Sequence, residues 1–503
     1  MMKWLQVLFF TAIVVAVGFL SYNIWEGQVI TAFSIFLTIS GILIVFIIFI
    51  ENRDPSQTLN WILVFAIFPV LGFFFYLLFG RNYAKTKRFE QKKILDEQAF
   101  DQIEGNKQLV EHELNQMGDH QRMFFRLAHH LGKSPISFSS ETKVLTNGDE
   151  TFPAIKKALR EAKHHIHMEY YIVRDDELGR EIKDILVEKA KEGVEVRFLF
   201  DAVGSWRLSS DFKQDLIKAG VEIQAFASVK FPVIGNKLNY RNHRKIIVID
   251  GEIGFTGGLN IGDEYMGKDS YFGKWRDTHL YVRGESVRSL QLIFIQDWHY
   301  ETNQSLLTQE YLSPEMLTNE DLGGVQMIAG GPDSQWEVIK KLYFSMIISA
   351  KKSISIASPY VIPDDDILTA LKVASLSGVD VKILTPARPD KRIVFHASRS
   401  YFPELMDAGI RIYEYKEGFM HSKIVIVDEE LASIGTSNMD MRSFHLNFEV
   451  NAFLFRTEST AKLVEDFQHD IEIAEELEPD RFKKRPITLR VMESLFRLMS
   501  PLL

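Results

Sequence analysis

The chain contains no cysteine in 503 residues. That absence removes disulfides, thiolate nucleophiles and cysteine-based metal sites together, and it fits a reducing compartment. A basic excess is missing as well: 58 Lys and Arg stand against 67 Asp and Glu, for a formal net charge of −9. A nucleic-acid binder is expected to carry the opposite sign, so nucleic acid is not expected as a partner. No metal-ligand cluster is apparent either. His164, His165 and His167 alternate strand faces and bring no acidic partner into register, so a zinc site is not expected there, and no cofactor is implied. What remains is ordinary for a folded protein, 46% hydrophobic and 25% charged. At roughly 100–200 residues per domain the length implies two or three units.

The apolar residues pile up at the front. Stretches run from Trp4 to Tyr22, from Val29 to Ile50 and from Leu59 to Gly80, and the second carries no charge. Each is close to the ~20 residues that cross a bilayer as helix. The first begins Met1-Met2-Lys3, as a signal peptide does, but no small-x-small cleavage site follows it; spanning, lying flat and removal all fit it. The polar turn Glu51-Asn-Arg-Asp-Pro-Ser-Gln-Thr58 makes a helical hairpin of the other two, with Pro69 expected to kink the third stretch. Arg81, Lys85, Lys87, Arg88, Lys92 and Lys93 crowd the exit, and such an excess marks the cytoplasmic side. The expectation is a multi-pass membrane protein whose large remaining region lies in the cytoplasm.

Beyond the front, one string occurs twice. His243-Arg-Lys245, Asp250 and Gly257-Gly-Leu-Asn260 match His421-Ser-Lys423, Asp428 and Gly435-Thr-Ser-Asn438, and the Asn falls seventeen places after the His both times (260 − 243 = 438 − 421 = 17). Ala162 to Val173 parallels Ala350 to Val361, and Gly193 to Leu199 parallels Gly378 to Leu384. Offsets of 188, 185 and 178 (350 − 162, 378 − 193, 421 − 243) put the matches in one order with small length changes. Each half reads as a helix (Thr151 to Ala162; Gln335 to Ala350), a buried strand, a second helix and a second buried strand entered through Gly193 or Gly378. That alternation predicts an α/β layer. The β-branched runs Lys245-Ile-Ile-Val-Ile249 and Lys423-Ile-Val-Ile-Val427 predict strands that turn back at Asp250-Gly251 and Asp428-Glu429. On a strand, residues two apart share a face, which puts His243 beside Lys245 and His421 beside Lys423.

Residues 1–82 are expected as the transmembrane region, 83–135 as a charged helical connector rather than a core, 136–322 and 323–486 as the two halves, and 487–503 as an amphipathic C-terminal helix. In that last segment Ile487, Val491, Leu495, Leu498 and Leu502 fall at helical spacing after Arg481, Lys483, Lys484 and Arg485, with Arg490 and Arg497 elsewhere around the turn. Two readings suit it equally: an interfacial helix on anionic lipid, and a helix capping a domain core.

The duplicated string resembles the His-x-Lys-x4-Asp, Gly-x-x-Asn signature of the phospholipase D superfamily, and the resemblance extends to bacterial cardiolipin synthases over nearly the whole chain. Phe79-Gly-Arg-Asn82, Asn242 to Gly251, Gly273-Lys-Trp-Arg-Asp-Thr-His279, Asn447-Phe-Glu-Val-Asn451 and Ser500-Pro-Leu-Leu503 carry it. It implies two pseudo-symmetric phospholipase D-like half-domains, each a sheet flanked by helices, behind a transmembrane helical region. It further implies phosphatidyl transfer between two phosphatidylglycerols, giving cardiolipin and glycerol without metal through a phosphohistidine. The implied catalytic set is His243, Lys245, Asp250, His421, Lys423 and Asp428, with Asn260 and Asn438 on the phosphate. Following the family, His243 is the nucleophile and His421 the acid, though near-symmetry leaves the reverse open. Asp277 in the first half and Glu449 in the second are implied as the carboxylates that orient the rings. Asp250 and Asp428, although part of the signature, suit structural acceptors at the turn better than proton carriers. Where relatives often have Ser after the motif glycine, this chain has Gly258 and Thr436.

Chemistry demands such a set. A phosphodiester is anionic, so attack requires its oxygens to be neutralised, and two ammonium groups with two amides supply that field. One imidazole attacks and the other protonates the leaving oxygen. The same residues suit hydrolysis, so a membrane-anchored phospholipase D releasing phosphatidic acid is the alternative, followed by a nuclease and a catalytically silent scaffold. His164, His165, His167, His279, His299 and His445 lack any repeat and are read as structural. Tyr170, Tyr171, Tyr360 and Phe231-Pro232-Val233-Ile234 suit either a lipid path or ordinary packing.

Overall fold

The computed structural model describes residues 107–227, 239–314, 317, 322–334 and 336–503, together with 55–67 and the single positions 35, 39, 41, 42, 45, 46 and 72. Two compact units divide the chain, 1–83 with 229–238 and 84–228 with 239–503. In the first, a helix covers Pro55–Ile67. It begins inside the expected polar turn, because proline at the first helical position gives up no needed N–H. No helix among the described residues is long and apolar enough to cross a membrane. Most of the three apolar stretches, Pro69, the basic cluster from Arg81 to Lys93 and the segment Phe231 to Ile234 lie outside the described residues.

Among the described residues the second unit holds twenty strands. In chain order they are β1 (Ser140–Thr146), β2 (His165–Tyr170), β3 (Glu195–Asp201), β4 (Glu222–Phe226), β5 (Arg241–Asn242), β6 (Ile246–Ile249), β7 (Ile253–Gly257), β8 (Lys274–Arg276), β9 (Thr278–Gly284), β10 (Gly324–Gly330), β11 (Ser353–Ala357), β12 (Val361–Ile362), β13 (Asp380–Pro386), β14 (Arg411–Tyr415), β15 (Gly418–Met420), β16 (Ile424–Val427), β17 (Leu431–Gly435), β18 (Met439–Asp440), β19 (Asn447–Phe455) and β20 (Glu475–Glu476). One sheet runs β1-β9-β7-β6-β2-β3-β4 and the other β10-β19-β17-β16-β11-β13-β14-β20. Laid side by side, the two orders correspond strand for strand from β1/β10 to β4/β14, which is the internal repeat made visible. β2, β3 and β4 pair in parallel, as do β11, β13 and β14. The connections β2–β3 and β11–β13 carry the helices Glu177–Lys191 and Asp365–Leu376, as parallel strands require a crossover.

Unbroken apolar runs in β6 and β16 follow from burial on both faces. Ile247 and Ile249 point into a core beneath the first half's helices, and Val425 and Val427 into the equivalent core of the second. Their alternates Ile246, Val248, Ile424 and Ile426 meet in a third core built by both sheets. The helices Val287–Thr302 and Glu458–Glu472 contribute Leu290, Ile293, Leu463 and Phe467 to this shared core.

The two hairpins after the His motifs turn as the sequence predicts. Asp250 and Gly251 have φ of 56° and 73°, and Asp428 and Glu429 have 53° and 61°, the left-handed pair of a tight two-residue turn. The connector differs from expectation. Its helix Asp119–Gly132 buries Phe124 and Phe125 to 1% exposure within the second half's core. Phe124 sits 5.4 Å from Phe453 and Phe125 6.0 Å from Phe455, centroid to centroid. A pair of aromatics carries enough apolar area to fix an otherwise charged helix.

Candidate active site

His243 and His421 stand in the extended approaches to β6 and β16 rather than inside the strands. Each approach is held by the opposite half. β5 pairs in parallel with the start of β19, Asn447 and Phe448 aligning with Arg241 and Asn242, and β15 pairs in parallel with β8. The His243 backbone N–H then donates to the Phe448 carbonyl at 2.9 Å, and that of His421 to the Arg276 carbonyl at 2.7 Å. Those carbonyls belong to the residues just before Glu449 and Asp277. The carboxylates therefore land beside the imidazole of the other half: His243 Nδ1 lies 2.9 and 3.0 Å from the Glu449 oxygens, and His421 Nδ1 lies 2.6 Å from Asp277 Oδ2.

Both carboxylates are completely buried, while the His243 and His421 side chains keep 12% and 11% exposure. Burial by itself would raise both carboxyl pKa values. Instead Lys423 and His421 hold Asp277 below the usual carboxylate range, and His243 and Lys245 do the same for Glu449. Each ionised carboxylate accepts the Nδ1 proton, which leaves the Nε2 lone pair available. Burial pushes His243 down to about 4 against the pull of Glu449. His421 is likewise pushed down to about 4 by burial, with Lys423 adding to the effect and Asp277 opposing it. Both rings are neutral in the unliganded site at neutral pH.

Lys245 Nζ donates to the His243 carbonyl at 2.6 Å and also lies 5.5 Å from the centre of the Tyr171 ring. Lys423 Nζ donates in the same way to the His421 carbonyl. Burial pushes Lys245 down to about 7 and Lys423 down to about 8. Lys423 further lowers Lys245 and His243, while Lys245 lowers His421. The two motifs thus share one electrostatic field, short of an anion.

The remaining motif residues frame this set. Asn260 accepts the Ile172 N–H at 3.1 Å and donates to the Tyr265 hydroxyl at 3.2 Å. Asn438 Nδ2 donates to Asp440 at 3.1 Å. A side-chain amide nitrogen has two hydrogens, so one remains on each. Asp250 and Asp428, placed in the catalytic set by the signature, sit elsewhere. Asp250 accepts the backbone N–H groups of Lys163, His164 and His165, and Asp428 those of Lys351, Lys352 and Ser353. Both cap the start of the neighbouring strand, so turn-holding rather than proton transfer is what their geometry provides. Position 258 must be glycine, because a Cβ there would stand 1.9 Å from Asp277 Oδ1. Thr436, its counterpart, has room for a hydroxyl, which accepts the Val450 N–H at 2.9 Å.

Two stretches of this chain, 155–272 and 343–471, match the family model described as "Cardiolipin synthase, PLD-like domain", and 38–81 match a "Phospholipase D-nuclease N-terminal" model. A cardiolipin synthase of Halalkalibacterium halodurans is 63% identical over 499 residues, 99% of each chain. The chain belongs to the cardiolipin synthase family of the phospholipase D superfamily. A second member, from Geobacillus sp. (strain WCH70), is 60% identical over 503 residues and the full length of both chains. At the level of fold, the crystal structure of phosphatidylserine synthase from Haemophilus influenzae superposes with a TM-score of 0.59 at 15% identity, covering 76% of this chain and all of that one.

Within this cardiolipin synthase fold, several residues at the site carry no repeat that would expose them in the sequence. Arg244, the middle residue of the first His-x-Lys, reaches Asp297 and donates to the carbonyls of Glu449 at 3.1 Å and Gly330 at 3.1 Å. Arg276 bridges Asp470 at 2.9 Å and the Asp277 carbonyl at 2.9 Å. Each guanidinium thus ties the two halves together directly behind a carboxylate that meets an imidazole. The acids that receive them were the available signal: Asp297 and Asp470 are buried carboxyls, and the helix carrying Asp297 has mostly apolar residues at its other inward positions. Tyr171 packs edge-on to His243 at 4.9 Å, and Trp275 lies 5.0 Å from His421. The three histidines at 164, 165 and 167 stay apart from this site; His167 stacks on Phe294 at 4.6 Å and accepts from Gln291.

Proposed function

We propose that this chain is a cardiolipin synthase that moves a phosphatidyl group from one phosphatidylglycerol to another, releasing glycerol. The observation that carries the reading is the crossed pair of imidazole–carboxylate contacts, His243 with Glu449 and His421 with Asp277, inside one field of two lysines. A phosphodiester anion between Lys245 and Lys423, with the spare amide hydrogens of Asn260 and Asn438, has its charge neutralised by protein alone. His243 Nε2 attacks phosphorus, the bond to the glycerol oxygen breaks, and His421 delivers the proton to that oxygen. The primary hydroxyl of a second phosphatidylglycerol then attacks the phosphohistidine, returning its proton to His421 and freeing His243. The shorter Nδ1 contact to Asp277, 2.6 Å, favours His421 as the ring that becomes imidazolium. The bound phosphate adds a negative charge that raises this ring from its unliganded state.

In this reading residues 136–322 and 323–486 are the two catalytic halves, and residues 1–82 anchor them to the bacterial cell membrane with the site on the cytoplasmic side. An anchor keeps the site where acceptor lipid is dense, which favours transfer over hydrolysis. The test is incubation of the protein with phosphatidylglycerol and separation of the products. Cardiolipin with glycerol supports the reading, phosphatidic acid replaces it with a phospholipase D, and no turnover replaces it with a silent scaffold. His243→Ala and His421→Ala are each expected to remove activity by ~10³-fold or more. A labelled phosphatidyl group is expected to stay on the protein in the His421 variant.

A further inference from the structure

The C-terminal helix Ile487–Arg497 is docked on one side and bare on the other. Its inner side is fixed to the second half. Glu493, 2% exposed, binds Arg485, Arg497 reaches Glu404 at 2.6 Å, Phe496 stacks on His396 at 6.1 Å, and the Tyr401 hydroxyl meets Ser500 at 3.0 Å. The chain then ends against the short helix Met441–His445, where Arg442 holds the carbonyls of Leu502 and Leu503 through its side chain and backbone. The helix is therefore an integral part of the fold. Yet Ile487, Val491, Leu495 and Leu498 are 71%, 63%, 59% and 76% exposed. They recur at helical spacing, so the stripe is continuous along the outer side.

Its surroundings say what covers it. Residues 481–503 hold six Lys and Arg and one acid, Glu493, and that acid is buried. Arg481 pairs with Glu475, Lys483 with Asp407, Arg485 with Glu493 and Arg497 with Glu404, while Lys484 and Arg490 are exposed on this same segment of a chain whose net charge is −9. The adjoining helices Asp365–Leu376 and Arg392–Arg399 add Leu376 at 71% and Ile393 at 41% exposure, and Glu404 pairs with both Lys372 and Arg497, linking these helices side by side. In the first half the matching helices, Glu177–Lys191 and Ser210–Lys218, expose one large apolar residue between them, Ile217 at 49%. The continuous stripe itself has no counterpart there, because no described helix of the first half occupies the place of Ile487–Arg497. A second copy docked through the same face would set Lys484 and Arg490 against like charges, whereas an anionic bilayer surface satisfies stripe and cations together.

We propose that this outer face of the C-terminal helix lies in the headgroup layer of an anionic bilayer and orients the catalytic unit against its substrate. The proposal rests on the phosphatidylglycerol reading for the purpose of the contact, but its test does not depend on turnover. Because the chain has no cysteine, Leu495→Cys and Val491→Cys each give one labelling site for an environment-sensitive fluorophore, with Glu465→Cys as an exposed control. The full chain is reconstituted in vesicles of phosphatidylcholine alone or with phosphatidylglycerol, with quencher lipids carrying a spin label on the acyl chain.

The expected result is quenching at 491 and 495, absent at 465, and at least about threefold stronger with phosphatidylglycerol, weakening as salt rises. Equal quenching in both vesicle types overturns the anion-directed contact. No quenching at 491 or 495 overturns the bilayer contact, as does probe self-quenching between copies in its place. Loss of turnover with quenching intact discredits the synthase reading alone.

Discussion

Asp277 and Glu449 perform one task with side chains of different length, and the difference is written into their neighbours. Asp277 occupies the space that a side chain at 258 would need, while Glu449 leaves room for Thr436. Gly258→Ala should therefore act at a distance of one residue: its Cβ displaces Asp277, and His421 loses its carboxylate. The expected phenotype is that of Asp277→Asn, a fall in kcat of ~10²–10⁴ with little change in KM. Glu449→Gln should fall in the same range by releasing His243. Steady-state kinetics on phosphatidylglycerol vesicles check all three, and Thr436→Ala, which removes no carboxylate, should stay well above them. Lys245 and Lys423 test a different property. With pKa values lowered to about 7 and 8 by burial, both lose charge as pH rises. The kcat/KM of the free enzyme should accordingly decline from about pH 7 upward, and more steeply above about pH 8, read from a pH–rate profile.

Among elements, the helix Asp119–Gly132 departs furthest from its sequence-based expectation. Phe125→Ala should cost ~3–5 kcal/mol of the second half's stability through the cavity left against Phe455, measured as a shift in the urea midpoint. The surrounding charges of 107–122 hid the pair at 124 and 125, since a segment's average polarity conceals a short aromatic anchor. Where period and turn chemistry agree, the sequence was more legible. β6 and β16, their left-handed turns and the crossover helices lie where the β-branched runs and glycines place them. The site residues His243, Lys245, His421 and Lys423 were legible from duplication. Which carboxylate serves which ring was not, because spacing along a chain says nothing about β5 pairing with β19 and β15 with β8. Arg244 and Arg276 stayed hidden for the same reason: the Glu449 and Gly330 carbonyls that Arg244 reaches, and the Asp470 that Arg276 reaches, lie across the interface. The C-terminal helix joins two readings that the sequence kept separate, since one side caps a core and the other remains apolar and exposed.

For the whole molecule, buried imidazoles set the acid limit. Burial lowers His165, His243 and His421 to about 4 and His279 to about 3, and holds His167 well below its usual value. Unfolded, all five titrate near 6.5. The unfolded chain therefore binds more protons between these values, so the stability the imidazoles provide is complete above pH 6.5 and is lost as pH falls through about 4. Four buried carboxyls raised by burial, Glu169, Asp201, Asp440 and Asp470, work in the opposite sense, against five imidazoles and the lowered carboxyls of Asp277 and Glu449. Thermal melts should show Tm dropping from pH 7 to pH 5, with a smaller drop in His167→Phe, whose ring keeps the stack on Phe294. The crossed contacts carry a last consequence. Two identical single halves related by a two-fold axis would build the same cavity, but only at concentrations where they stay associated. Covalent joining makes that assembly survive dilution to a single molecule. It also lifts the demand that both copies be alike, so one can keep Gly beside Asp while the other takes Thr beside Glu, and two equivalent histidines can settle into different duties.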